Sequence, residues 1–212
     1  MNGKSLSKLA VDITSAWEGR PWGWHADHKA YGILGFEGYM LKRLIHDYSK
    51  ATGKKITEKD LDVLDKNHVM RQCQKQLAYR YFREIMAYSF YPRGLKSPWA
   101  ACVIFDLAIN NGKNNAILSN AQVRLGYGSG EKMDISKLSV FKEDTYVIQV
   151  CKERVKDYER VEKKWHGLAR RYKWFLDVAI HREVYDGAHF PMSLKPNGVS
   201  VMIPQGRVIM SS

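Results

Sequence analysis

The sequence predicts a mainly α-helical protein. Three observations predict it: apolar residues recur at helical spacing along most of the 212 positions, the breaks between these stripes fall at Gly, Pro and Asn-Gly, and only residues 190–212 look extended. Leu6, Leu9, Ala10, Ile13, Ala16 and Trp17 form a first stripe, which Glu18-Gly19 ends, glycine being the residue that suits a helix exit. After a loop of residues 19–36, Tyr39, Met40, Leu44, Ile45 and Tyr48 make a second helix that stops near Gly53. A third α-type segment begins at Thr57, where a hydroxyl and Asp60 three residues on form the pattern of a capping box.

A long helix follows over about 66–90, carrying Val69, Leu77, Tyr81, Phe82, Ile85 and Met86, and is broken at Tyr91-Pro92-Arg93-Gly94. From Pro98 the apolar run Trp99 to Ile109 predicts a buried central helix that ends at Asn110-Asn111-Gly112. A short helix over roughly 114–125 leads into Gly126-Tyr127-Gly128-Ser129-Gly130, a loop without the Gly-Lys-Ser/Thr ending of a phosphate loop. The last helical stretch, about 143–184, divides into two helices near His166-Gly167. With no repeat and no linker able to split the chain, the expected organisation is one domain over 1–189 with an extended tail, 190–212, packed on it.

Composition narrows the class. Hydrophobic residues at 45% and charged residues at 26% are ordinary for a soluble globular protein and too apolar for a disordered one. The net charge of +12 favours polyanions as partners, nucleic acid, anionic lipid and wall polymers among them, although the basic residues are scattered and form no polybasic arm. Cys73, Cys102 and Cys151 are odd in number and lack C-x-x-C spacing, so neither a disulfide framework nor a zinc site is expected. The N-terminus has no apolar signal core, and no stretch approaches the roughly eighteen apolar residues of a membrane span. Synthesis in the cytoplasm without a conventional export signal is the expectation.

The chemistry lies near the N-terminus. Glu18 closes the first helix, and Asp27 follows nine positions later in a loop holding Trp22, Trp24, Tyr31 and Phe36. Hydrolysis of a glycosidic bond needs two carboxyl groups, one to protonate the leaving oxygen and one to assist at the anomeric carbon. Glu18, beside Trp17 and the loop tryptophans, suits the acid, because an apolar wall favours the protonated form. Asp27, between His25 and His28, suits the ionised partner. Flat aromatic faces in the loop suit stacking on sugar rings. The plainer alternative keeps Glu18 as an ion-pair partner of Arg20, Asp27 as a turn residue, and the aromatics as a cluster holding the loop to the core. His25 and His28 suit loop hydrogen bonds better than a metal. Asn110 and Asn111 either cap the central helix or bind N-acetyl groups, Arg170 and Arg171 suit structural ion pairs, and Tyr79, Tyr81, Tyr88 and Tyr91 are mostly core.

Trp17-Glu18-Gly19, the Asp nine residues on, and Tyr31-Gly32-Ile33-Leu34-Gly35-Phe36 resemble the catalytic region of phage-type lysozymes in the lysozyme-like superfamily. Gly32-Ile33-Leu34-Gly35-Phe36 is also similar to a segment beside the active site of chitosanases of that superfamily. Phe105-Asp106-Leu107-Ala108-Ile109-Asn110-Asn111-Gly112 resembles the central helix of peptidoglycan muramidases, and Trp165-His166-Gly167-Leu168-Ala169-Arg170-Arg171 resembles their late Gly-Leu-x-x-Arg-Arg helix. The resemblance departs at Ile33, where phage-type lysozymes carry Thr. Chitosanases separate their two acids by about eighteen residues, a count that falls at Phe36, so the adjacent Glu37 is the reserve second acid.

The resemblance implies a lysozyme-like two-lobed helical fold with Glu18 as general acid and Asp27 as second carboxylate. It further implies an endolysin-type muramidase that cleaves β-1,4 bonds of peptidoglycan. Trp22, Trp24, Tyr31, Phe36, Asn110 and Asn111 are the expected substrate-binding residues. No metal or organic cofactor is expected. The expected partners are peptidoglycan glycan strands and anionic cell-surface polymers, met by a monomer. It would be made in a host bacterial cytoplasm and act at the wall after release or from a phage particle. The alternatives are a chitosanase-type hydrolase, disfavoured by repulsion between +12 and a cationic polymer, and a non-catalytic basic protein that binds wall or nucleic acid.

Overall fold

In a computed structural model the described residues are 3–19, 22–25, 28–112, 116–127, 140–161, 168–185, 192–194 and 201–203. The expected helices form. In chain order they are α1 (Gly3–Glu18), α2 (Gly38–Thr52), α3 (His68–Ile85), α4 (Pro98–Asn111), α5 (Ala116–Arg124), α6 (Val140–Val161) and α7 (Leu168–Tyr185). Two short strands, β1 (Met192–Leu194) and β2 (Val201–Ile203), pair antiparallel with Ser193 opposite Met202, and β2 lies against α1. His166-Gly167, where the last helical stretch was expected to divide, and most of the Gly126–Gly130 loop lie outside the described residues.

The centre of the fold is α4, buried on every side from Pro98 to Ala108. Its start follows from local chemistry. Ser97 Oγ accepts the N–H groups of Trp99 and Ala100 at 3.1 and 3.3 Å, and Pro98 occupies the first turn, where no N–H is needed. A second cap comes from α6: the buried Glu143 Oε1 accepts the N–H of Lys96 at 2.9 Å and of Ser97 at 2.7 Å. That carboxylate sits at the positive end of the α4 dipole. At the other end Gly112, at φ 74°, returns its N–H to Ala108 O.

Around α4, α1 packs on one side and α6 on another, α2 pairs with α3, and α6 pairs with α5 and α7. The buried residues of all these helices form one continuous hydrophobic cluster, from Leu6 to Ala179. Trp99 anchors it, edge-on to Trp174 at 5.7 Å between centroids and tilted on Phe175 at 5.4 Å.

Two segments depart from the α-type expectation. The Thr57 segment winds as a 3-10 helix, Glu58–Val63, although Asp60 Oδ2 does accept the Thr57 N–H at 2.7 Å and its hydroxyl at 2.8 Å. Only Leu61 of its residues is buried, so tertiary packing does not hold it to the longer α repeat. After α3 the chain continues through a π-helical turn, Met86–Phe90, and a 3-10 turn, Tyr91–Arg93, before Gly94 ends it at φ 67°. The turn buries Met86, Ser89 and Phe90 against the core.

Candidate functional site

Glu18 is the last residue of α1, placed where the helix runs out beside α7. Its side chain is 16% exposed, and Oε1 accepts a hydrogen bond from Arg171 Nη1 at 2.8 Å. Arg171 is itself buried on α7, and its other edge grips Asp106 of α4: Nε donates to Oδ1 at 3.1 Å and Nη2 donates to the same oxygen. Asp106 is 0% exposed, and Tyr172 donates its hydroxyl to Oδ2 at 2.9 Å. One guanidinium therefore joins three helices, with a fully buried carboxylate on one side and the candidate acid on the other.

The electrostatics follow from burial. Desolvation works against a charged Arg171, but the charges of Asp106 and Glu18 outweigh it and hold the guanidinium protonated. Burial first, and then the charge of Asp106, pushes the Tyr172 hydroxyl well above its ordinary range. The Arg154 guanidinium stacks 3.5 Å from the Tyr158 ring centroid and 5.7 Å from that of Tyr172, continuing the layer away from Glu18. Such a layer holds the Arg171 fork in one orientation.

The loop between α1 and α2 folds into three short extended pieces. Trp24 bridges Tyr31, and Tyr31 bridges Phe36, both antiparallel. Gly32 donates to Gly23 O at 2.9 Å, His25 to Ala30 O at 2.8 Å, and Gly35 to Gly32 O at 3.0 Å. His25 Nε2 lies 3.1 Å from Gly32 O, which fits the expected loop hydrogen bond. Gly35, at φ 61°, brings the backbone against the acid: a Cβ there would lie 3.1 Å from His25 Cε1 and 3.6 Å from Glu18 Oε2. Among the described residues, no three His, Cys, Asp or Glu side chains converge as a metal site.

The expected site residues divide accordingly. Asp27 lies outside the described residues. Glu37 is exposed, at the N-cap of α2. Trp22 and Trp24 are half-buried at the loop's edge, Trp22 with Arg71 at 5.1 Å and Lys75 at 5.5 Å from its ring centroid. Tyr31 and Phe36 do not offer faces to a ligand: they are 0% and 3% exposed, and the Tyr31 hydroxyl donates to Leu61 O. Their aromatic surface holds the loop to the core, as the plainer reading had it. Asn110 donates Nδ2 to Asp106 O within its own helix, at 2.9 Å, and Asn111 is exposed at the helix end.

Two further corrections concern charge. The carboxylate of Glu18 meets a guanidinium, whereas an apolar wall was expected; Trp17 turns instead to Trp174, edge-on at 5.7 Å. Arg171 does form the expected ion pair, but with the candidate acid as well as with Asp106. The signal for this was present in the sequence. Asp106 is a lone carboxylate in a run too apolar to leave it unpaired, so a cation had to reach it.

This helical arrangement, with an acid at the end of the first long helix facing a meandering loop, defines a lysozyme-like fold. The chain is similar to the solved structure of a GH46 chitosanase of Gynuella sunshinyii in complex with chitotetraose, with a TM-score of 0.70 over 95% of this chain and 99% of that chain, at 14% identity. Neither a protein-family profile nor a curated sequence matches the chain.

Proposed function

We propose that the protein is a glycoside hydrolase that cleaves β-1,4 bonds of peptidoglycan, with Glu18 as general acid. One observation carries the reading: Glu18 ends α1 with Oε1 fixed by Arg171, whose position is set by the buried Asp106. Arg171 is shared between two carboxylates, so its hold on Asp106 also fixes where Glu18 is bound. Oε2, on the side of Gly35, is free of the Arg171 bond and is the oxygen that delivers the proton to the leaving sugar. Asp27 is the proposed second carboxylate, with Glu37 in reserve. Trp22, Trp24 and Asn111 remain the proposed glycan contacts, and the +12 surface supports adsorption to anionic walls. An endolysin acting as a monomer at the wall after release or from a phage particle is the proposed setting.

The likeness in fold to a chitosanase supports a second substrate, chitosan. Both polymers are tested together. Purified peptidoglycan and chitosan are incubated with the wild type and with Glu18→Gln, and new reducing ends are identified by mass spectrometry. Release of fragments ending in N-acetylmuramic acid by the wild type alone is the expected result, with loss of about 100-fold or more in the variant. Cleavage of chitosan alone would transfer the same acid to the second substrate. Activity that survives in a folded Glu18→Gln protein would overturn the assignment of the acid.

A further inference from the structure

Gln74 is a buried polar residue on α3, 0% exposed, and both ends of its amide are spent on the loop between α1 and α2. Nε2 donates to Trp22 O at 3.1 Å, and Oε1 accepts the N–H of Ile33 at 3.1 Å. These two backbone groups belong to the first extended piece of the loop and to the turn between the second and third. The side chain thus does the work of one peptide unit of a neighbouring strand.

The surrounding chain is shaped to admit it. At Gly32, φ 84°, a Cβ would fall 2.6 Å from Gln74 Oε1 and 2.8 Å from its Cδ, so only glycine leaves room for the amide. Arg71 and Lys75, neighbours of Gln74 on α3, hold the Trp22 ring whose carbonyl Gln74 binds. From Ile33 the turn runs two residues to Gly35, the backbone that closes on Glu18 Oε2.

We infer that Gln74 is a positioning residue of the active site, setting the placement of the loop against Glu18 through Trp22 and Ile33; the role rests on the hydrolase reading above. It touches neither the acid nor the glycan. A buried apolar residue of the same length would fill the space equally well but would leave Trp22 O and the Ile33 N–H unpaired. The loop would then lose its anchor opposite Glu18, and errors of placement of about 1 Å cost a reaction on the order of 100-fold.

The test compares wild type, Gln74→Met and Gln74→Glu on a soluble oligosaccharide of whichever polymer the wild type cuts, with hydrogen exchange at the Ile33 amide measured alongside. Gln74→Met is expected to lower kcat by about 10–100-fold with KM within about threefold, and to speed exchange at Ile33. Gln74→Glu covers the case in which the apolar variant does not fold. Its protonated form can donate to Trp22 O and accept from Ile33, and its ionised form cannot donate. Its activity relative to wild type is therefore expected to fall as pH rises from about 4 to about 8, a range in which Arg71 and Lys75 stay charged.

Unchanged kcat in a folded Gln74→Met protein, or a flat ratio for Gln74→Glu, would overturn the positioning role. Unchanged Ile33 exchange would overturn the clamp itself. A wild type that cuts neither polymer would remove the hydrolase reading and the positioning role with it, while the Ile33 exchange would still report whether the clamp exists.

Discussion

Arg171 places Nη1 2.8 Å from Glu18 Oε1 across 153 positions of sequence, and the same guanidinium binds Asp106 through its other edge. Removing the cation strands a fully buried carboxylate. Arg171→Met is expected to lower the free energy of unfolding by about 3–5 kcal/mol, read from denaturant curves. Arg171→Lys keeps the charge but loses the fork, so an intermediate loss is expected. Adding Asp106→Asn to Arg171→Met should recover part of the loss. If the double variant is no more stable than the single one, the stranded charge is not the source.

Gly35 tests the closeness of loop and acid. Gly35→Ala is expected to cost about 1–2 kcal/mol from its positive φ, and to lower hydrolysis about tenfold or more by driving the loop from His25 and Glu18. Gly53→Ala is the control, since it has a similar φ of 71° and nothing within 4 Å of the added Cβ. It should lose stability alone. Equal activity loss in both variants would show that backbone strain, and not contact with the acid, is responsible.

Alkaline titration should unfold the protein cooperatively. Burial pushes the Tyr146 hydroxyl up to about 12 from its usual 10.0, and burial and then the charge of Asp106 push that of Tyr172 well above its ordinary range. Both folded values are raised, so the neutral phenols favour the fold. That contribution is fully present below pH about 10 and is lost as pH rises from there through the folded values, because the unfolded chain releases its protons first. The loss is on the order of 1 kcal/mol per pH unit for each tyrosine. Tyrosinate absorbance from these residues should rise together with loss of near-ultraviolet circular dichroism. Their ionisation near 10 in an intact fold would contradict the burial.

Glu143 holds the start of the central helix. Glu143→Ala leaves the N–H groups of Lys96 and Ser97 without their shared acceptor, and a loss of about 2–3 kcal/mol is expected. Ser97→Ala, which removes the local cap, should cost about 1 kcal/mol. Thermal unfolding of the two variants checks the order. A smaller effect at Glu143 would mean that the tertiary cap matters less than the local one.

The helices were legible where periodicity and punctuation agreed. The start of α4 at Ser97-Pro98 and its end at Asn111-Gly112 follow from local chemistry, and its burial follows from the apolar run between them. Local rules decided less in the Thr57 segment, where the Asp60 contacts form but the winding is 3-10 because little packs on it. The π turn at Met86–Phe90 left no trace in periodicity, since it is set by what the core accepts there. In the site, Glu18 could be singled out from its place at a helix end. Residue type could not tell which aromatics of the loop face inward, and Tyr31 and Phe36 were spent on the core. The Gln74 clamp was invisible because a glutamine in a helix reads as surface, and its partners are backbone groups 52 and 41 positions away.

The joining of Glu18, Asp106 and Arg171 also has an order in time. Translation delivers Glu18 first, the buried aspartate next and the guanidinium of α7 last. A nascent chain still short of residue 171 carries Glu18 with its clamp missing, however complete the earlier helices are. The link between α1, α4 and α7 therefore forms only once residue 171 has been made.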